Sequence, residues 1–121
     1  MKPKTMTQTF NDGIVNIYSV GNIANDGNMP KEGLTLKVGL LRYEERTVGM
    51  SRFWTAMQAQ AQIDQVLRVP LTRSVSTQDV AIPNDGEQYE IKQIQYPKGV
   101  EPPSMDLSLE RAEADYDIAL D

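Results

Sequence analysis

Three groups of carboxylates stand close enough in this chain to act on one substrate: Glu44-Glu45, Glu87-x-x-Glu90 and Asp115-x-Asp117. Paired carboxylates divide acid and base work when their surroundings push their pKa values apart. The spacing here works against that. Glu44 and Glu45 are neighbours in a stretch that reads as extended, so their side chains point to opposite faces. Asp115-x-Asp117 lacks the later ligands and the glycine of a calcium loop. Glu87 falls in a turn and Glu90 on the exposed side of a strand. All three groups are expected to be surface charge.

The residue types that are missing narrow the chemistry further. The chain has no histidine, which removes Ser–His and Cys–His nucleophiles and histidine-ligated zinc or non-haem iron. It has no cysteine, so neither a disulfide framework nor a thiolate metal site can form. Gly21, Gly27 and Gly33 are spaced as turn punctuation and not as a phosphate-cradling loop. The expectation is a non-enzyme with no cofactor and no metal.

The elements that position these residues follow from length and pattern. A chain of 121 residues makes one domain by size. No apolar run approaches the roughly 18 residues of a membrane span, and no hydrophobic stretch follows the charged start to make a secretory signal. Six acids and one base lie in residues 106–121, while the rest of the chain is formally neutral, so the C-terminal end supplies the whole net charge of −5. A body without basic excess argues against a dedicated nucleic-acid binder.

Residues 1–12 are polar and read as a flexible extension. Gly13–Val20 is a first strand, rich in β-branched residues. Gly21–Gly33 gathers turn formers without periodicity and reads as a long loop. Leu34, Leu36, Val38 and Leu40 then alternate as one face of a half-buried strand, with the parity switching to Leu41 and Tyr43 and a bulge expected near Gly39. Met50, Phe53, Trp54, Met57 and Ala61 fall on one face of an α-helix, with Thr47 or Ser51 as its cap. Two methionines and the only tryptophan beside a glutamine-rich face suit a surface that repacks between states.

Further strands are expected over Ile63–Val69, Val80–Ile82, Tyr89–Tyr96 and Met105–Leu109, with Asn84-Asp85-Gly86 as a tight hairpin turn and a parity slip between Ile91 and Ile94. The fold class is mainly β: a small antiparallel β-barrel of about six strands, closed to remove exposed edges, with one inserted amphipathic helix. The barrel domain spans 13–110, the helix lies near 50–62, and 111–121 is an acidic C-terminal tail, either a short helix or loose.

One segment carries a resemblance. It runs through Arg42-Tyr43-Glu44-Glu45-Arg46-Thr47-Val48-Gly49 and Arg52-Phe53-Trp54-Thr55-Ala56-Met57-Gln58-Ala59. It continues through Ile63-Asp64-Gln65-Val66-Leu67-Arg68-Val69-Pro70 and Ser76-Thr77-Gln78-Asp79-Val80-Ala81-Ile82, and ends at Gln88-Tyr89-Glu90-Ile91-Lys92-Gln93-Ile94. In this order and spacing, from about Leu34 to Leu109, the chain resembles the head-closure or head–tail connector (stopper) proteins of tailed bacteriophages. The resemblance implies a structural virion protein, assembled in the bacterial cytoplasm. It would form a ring of about twelve copies through head-to-tail contacts, closing the DNA-filled capsid and presenting the tail attachment platform.

Its partners would be neighbouring copies, portal or adaptor proteins and tail proteins, with double-stranded DNA passing unbound and no membrane involved. A gating segment is expected at Thr47, Gly49, Met50, Trp54, Met57, Gln58 and Gln62, with Val48-Gly49 as hinge. A loop facing the channel is expected at Asn22, Asn25, Asp26, Gly27 and Asn28, and a docking tail at Glu113, Asp115, Tyr116 and Asp117. Two other functions fit the same sequence: tail completion or termination, and a single-stranded nucleic-acid-binding barrel using Tyr18, Tyr43, Tyr89 and Tyr96.

Overall fold

The computed structural model describes residues 6–24, 27, 29–46 and 63–119. Nine strands follow in order: β1 (Met6–Thr7), β2 (Gly13–Asn22), β3 (Glu32–Arg46), β4 (Gln65–Pro70), β5 (Val80–Ile82), β6 (Tyr89–Gln95), β7 (Val100–Glu101), β8 (Ser104–Arg111) and β9 (Asp117–Ile118). The six longest pair antiparallel in the order β2-β5-β6-β8-β4-β3, and β3 pairs back onto β2. The result is a ring-like sheet. β9 adds in parallel beside β3, and β1 pairs in parallel with β7. The protein is therefore mainly β, and no helix occurs among the described residues. The helix expected near 50–62, with the candidates Thr47, Gly49, Met50, Trp54, Met57, Gln58 and Gln62, lies outside them.

The inner face of the ring holds the core. Val15 and Ile17 of β2, Leu67 and Val69 of β4, and Met105, Leu107 and Leu109 of β8 are all fully buried and packed into one cluster with Ile91 and Tyr89 of β6. Alternation explains the selection, because i and i+2 on a strand share a face. β4 departs from it: Val66 and Arg68, which alternate with the core residues, are buried too.

β3 does not keep the alternation expected of it. Two irregularities interrupt its pairing with β2: Gly39 and Leu40 stand against Asn16 alone, and Lys37 is extra between Val38 and Leu36. Each slip turns the strand by one residue. Val38, Leu41 and Tyr43 consequently face the core, while Leu36 and Leu40 are exposed and Leu34 is buried outside the central cluster. The bulge near Gly39 is where the sequence placed it, and a second slip at Lys92, between Ile91 and Gln93, matches the expected parity change in β6.

The loop between the first two long strands is shorter than its composition implied. Gly21 and Asn22 pair with Gly33 and Glu32, which leaves 23–31 as the connection. Hairpin backbone pairing continues there through residues of low strand propensity. The turn at Asn84-Asp85-Gly86 is present, with Gly86 at φ 75° donating its N–H to the Pro83 carbonyl. It is wider than a two-residue turn, since the last β5–β6 pair is Ala81 with Tyr89.

Candidate functional site

The most organised polar site lies on the outer face of β3, β4 and β8, where the register aligns Glu44, Arg68 and Asp106 in one row. The Arg68 guanidinium makes a two-pronged contact with Asp106, from Nε at 2.7 Å and Nη2 at 3.0 Å. Its Nη1 donates to Gln8 Oε1 at 3.1 Å, and Gln8 Nε2 donates to Glu44 Oε2. Glu44 also accepts from Arg46 Nη1 at 2.9 Å. Gln8 and Arg68 are both buried.

The N-terminal stretch is thus laid across the row: its Gln8 N–H donates to the Glu101 carbonyl, and Met6–Thr7 pairs beside Val100–Glu101. Burial raises the Glu44 pKa, yet hydrogen bonds from Arg46 and Gln8 and the charges of Arg46 and Arg68 outweigh it and hold the carboxyl below its ordinary value. Arg68 is pushed up by its bond to Asp106, against its own burial.

This row is also the stem of the insertion. Arg46, at the end of β3, pairs with Val66 near the start of β4. The segment between them leaves and re-enters the sheet at adjacent positions. The row was legible only in hindsight: Arg68 interrupts the apolar run Val66-Leu67-Arg68-Val69, and a charge there demands partners.

The carboxylates considered for chemistry are each occupied. Glu44 and Glu45 diverge as expected, Glu45 reaching Gln65 at 3.4 Å while its backbone N–H donates to Asp12. Glu87 and Asp115 both pair with Arg111, Glu90 pairs with Lys92 at 3.3 Å, and Asp117 pairs with Lys31 at 2.8 Å. Among the described residues no group of three or more potential ligands could hold a metal, and no helix is long and apolar enough to cross a membrane.

Of the channel-facing candidates, Asn22 accepts N–H bonds from Ala24 and Lys31 at 3.0 Å and so closes the connection locally. Gly27 sits at φ 87°, and Asn25, Asp26 and Asn28 lie outside the described residues.

The end of the chain is held by its backbone through residue 119. Neither of its expected forms, a short helix or a loose end, appears up to there. Ala112 is buried with its N–H on the Gln88 carbonyl. The buried Gln88 amide accepts from Tyr116 N and donates to Tyr116 O, at 2.8 and 2.9 Å. The Ala119 N–H donates to Leu34 O at 2.7 Å. Of the docking candidates, Glu113, Asp115 and Asp117 remain exposed and Tyr116 is half-buried.

Two buried tyrosines have raised pKa values. Tyr89 donates its hydroxyl to Asp85 Oδ2 at 2.7 Å, and burial together with that carboxylate pushes its pKa up to about 12. Tyr43 is raised by burial, with the charges of Glu45, Asp85 and Asp12 adding to it against a backbone hydrogen bond at Asn84. Because the fold favours the protonated phenols, their contribution to stability is complete below about pH 10 and fades as the pH rises toward about 12. In an ultraviolet titration two of the five tyrosines should ionise late, together with unfolding, and Tyr89→Phe should remove part of the alkaline loss. Ionisation of Tyr89 near pH 10 in the folded protein would contradict this.

Compared with known proteins, the chain matches no family model, no curated protein and no solved structure.

Proposed function

We propose that this chain is a structural protein of a tailed-bacteriophage virion, a head-closure or head–tail connector subunit built as a small β-barrel. Copies form a ring at the head–tail interface, close the DNA-filled capsid and offer the platform to which the tail attaches. The reading rests on the order and spacing of segments from Leu34 to Leu109. The structural observation that supports it best is the splice point: 47–64 connects Arg46 to Gln65, at the paired ends of β3 and β4. On either side of that break the described strands β3 and β4 pair with each other and close the ring-like sheet. A sheet that closes through its own strand pairs suits a subunit that must dock and seal.

The electrostatics favour a channel protein over a nucleic-acid binder. Lys31, Lys37, Arg46, Arg68, Lys92 and Arg111, half of the twelve bases, are in ion pairs with carboxylates, which reduces what is left to hold phosphates. A non-enzymatic role in the virion, with portal, adaptor and tail proteins as partners, follows from the same reading.

Purified protein mixed with DNA-filled, tailless capsids should co-sediment with them and prevent loss of the packaged DNA. Binding to tail tubes in place of capsids would make it a tail completion protein. Binding to neither, with salt-sensitive affinity for single-stranded DNA, would overturn the proposal.

A further inference from the structure

The outer face of β2 and β3 exposes three large apolar side chains, Ile14, Leu36 and Leu40, where an unpartnered surface would be polar. Val15, Ile17, Val38, Leu41 and Tyr43 take the inner side. The residues between them point out, and by register these are Ile14, Asn16, Tyr18, Leu36, Leu40 and Arg42. Ile14 is 40% exposed, Leu36 52% and Leu40 75%.

Leu40 is the informative one. It is held at φ 58°, a left-handed conformation that any residue with a Cβ adopts at a cost and that glycine occupies freely. Its N–H is fixed by Asn16 Oδ1 at 2.8 Å. Gly39 stands one position earlier, yet the strained position carries the leucine. The bulge itself turns Leu41 and Tyr43 into the core, but that needs no leucine at position 40, where glycine would take the same backbone without strain. An apolar side chain exposed there points to a contact elsewhere.

The other side of the ring offers a concave, acidic surface. In the order β2-β5-β6-β8-β4-β3, the β6–β8 pair lies across from the β2–β3 pair, with one strand intervening on each side. There β6, β8 and the segment after β8 border an open pocket of about 410 Å³. Glu90, Glu110, Glu113 and Asp115 line it against a single Lys92. On the β2–β3 face Arg42 is exposed, and no described carboxylate pairs with it.

We infer that the outer face of β2–β3 docks into the β6–β8 concavity of a second copy of this chain, with Leu40 and Arg42 entering it. Two apolar faces packed on each other would leave Arg42 without a carboxylate, whereas the concavity offers the exposed Glu113, which forms no ion pair with a described residue. Because the two surfaces differ and lie on opposite sides, the contact is head-to-tail and repeats from copy to copy. This rests on the ring assembly proposed above and names the surfaces that build it.

The test uses the absence of native cysteine. Leu40→Cys and Glu113→Cys, carried by separate copies and mixed under mild oxidation at high protein concentration, should give a disulfide-linked heterodimer. The double variant should give a ladder of multimers. Control cysteines at the exposed Met29 and Lys98 report chance collisions. Arg42→Glu should suppress the Leu40–Glu113 crosslink several-fold, and Glu113→Arg on the copy offering the concavity, crosslinked there through Asp115→Cys, should restore it. Crosslinking no better than the control pair, or Leu40→Cys homodimers forming as readily as the heterodimer, would overturn the assignment. Capsid binding by a chain that fails these crosslinks would discard these surfaces and keep the proposed function. Crosslinking without capsid binding would do the reverse.

Discussion

Arg68→Ala should cost about 3–5 kcal/mol, the range for breaking one side of a buried ion pair. Arg68 and Asp106 are 7% and 18% exposed at their side chains, and the two-pronged geometry leaves Asp106 without its main partner once the guanidinium is gone. Gln8 loses its acceptor role at the same time, and Glu44 loses one of the charges that hold its pKa down. The alanine variant should therefore also free the N-terminal stretch, seen as faster amide exchange at Gln8 than at Leu107.

Replacing both partners with apolar residues of similar shape, Arg68→Met with Asp106→Leu, should be far milder, because no buried charge is left behind. Denaturant unfolding with unchanged slope measures both. A loss under about 1 kcal/mol for Arg68→Ala would mean that the row is solvated and does not hold the stem of the insertion. The acid limb of stability has the same origin. Since the Glu44 pKa is lowered in the fold, its share is present above the ordinary carboxylate value and is lost as the pH falls through the lowered one.

The sheet was largely legible because its signals are local. Pro70 closes β4, Asn84-Asp85-Gly86 turns β5 into β6, and the apolar parity changes within β3 and β6 mark real register shifts. Each is a matter of a few neighbouring residues. The pairings of β1, β7 and β9 involve two residues each, too few for any period to show, and they exist because their backbone groups find partners far along the chain.

The polar row was hidden for a related reason. Arg68 meets Asp106 38 positions away and Gln8 60 positions away, and only closure of the ring brings them together. The candidate docking residues were legible as exposed acids but not as part of a segment tied down through Gln88 and Leu34, because backbone bonds to a distant glutamine leave no trace in composition. Sequence alone thus found the strands, yet missed what fastens the two ends of the chain to them.

Leu34, Leu36 and Leu40 look equivalent in the sequence, and the structure separates them sharply. Leu34→Ala should cost about 3 kcal/mol, since a fully buried leucine loses both its transfer energy and the space it filled. Leu36→Ala and Leu40→Ala should each stay within about 0.5 kcal/mol of the parent, as exposed positions do. Leu40→Gly should go further and stabilise the isolated chain by up to about 1 kcal/mol, because glycine relieves the left-handed backbone at φ 58° by more than its added freedom in the unfolded chain costs. Thermal or denaturant unfolding of the four variants settles the order. If Leu36→Ala proves as costly as Leu34→Ala, the extra residue at Lys37 does not turn the strand and β3 keeps one buried face throughout. A stabilised Leu40→Gly that no longer associates with its neighbours would show that leucine is kept at this position for the contact it makes, at the expense of the subunit that carries it.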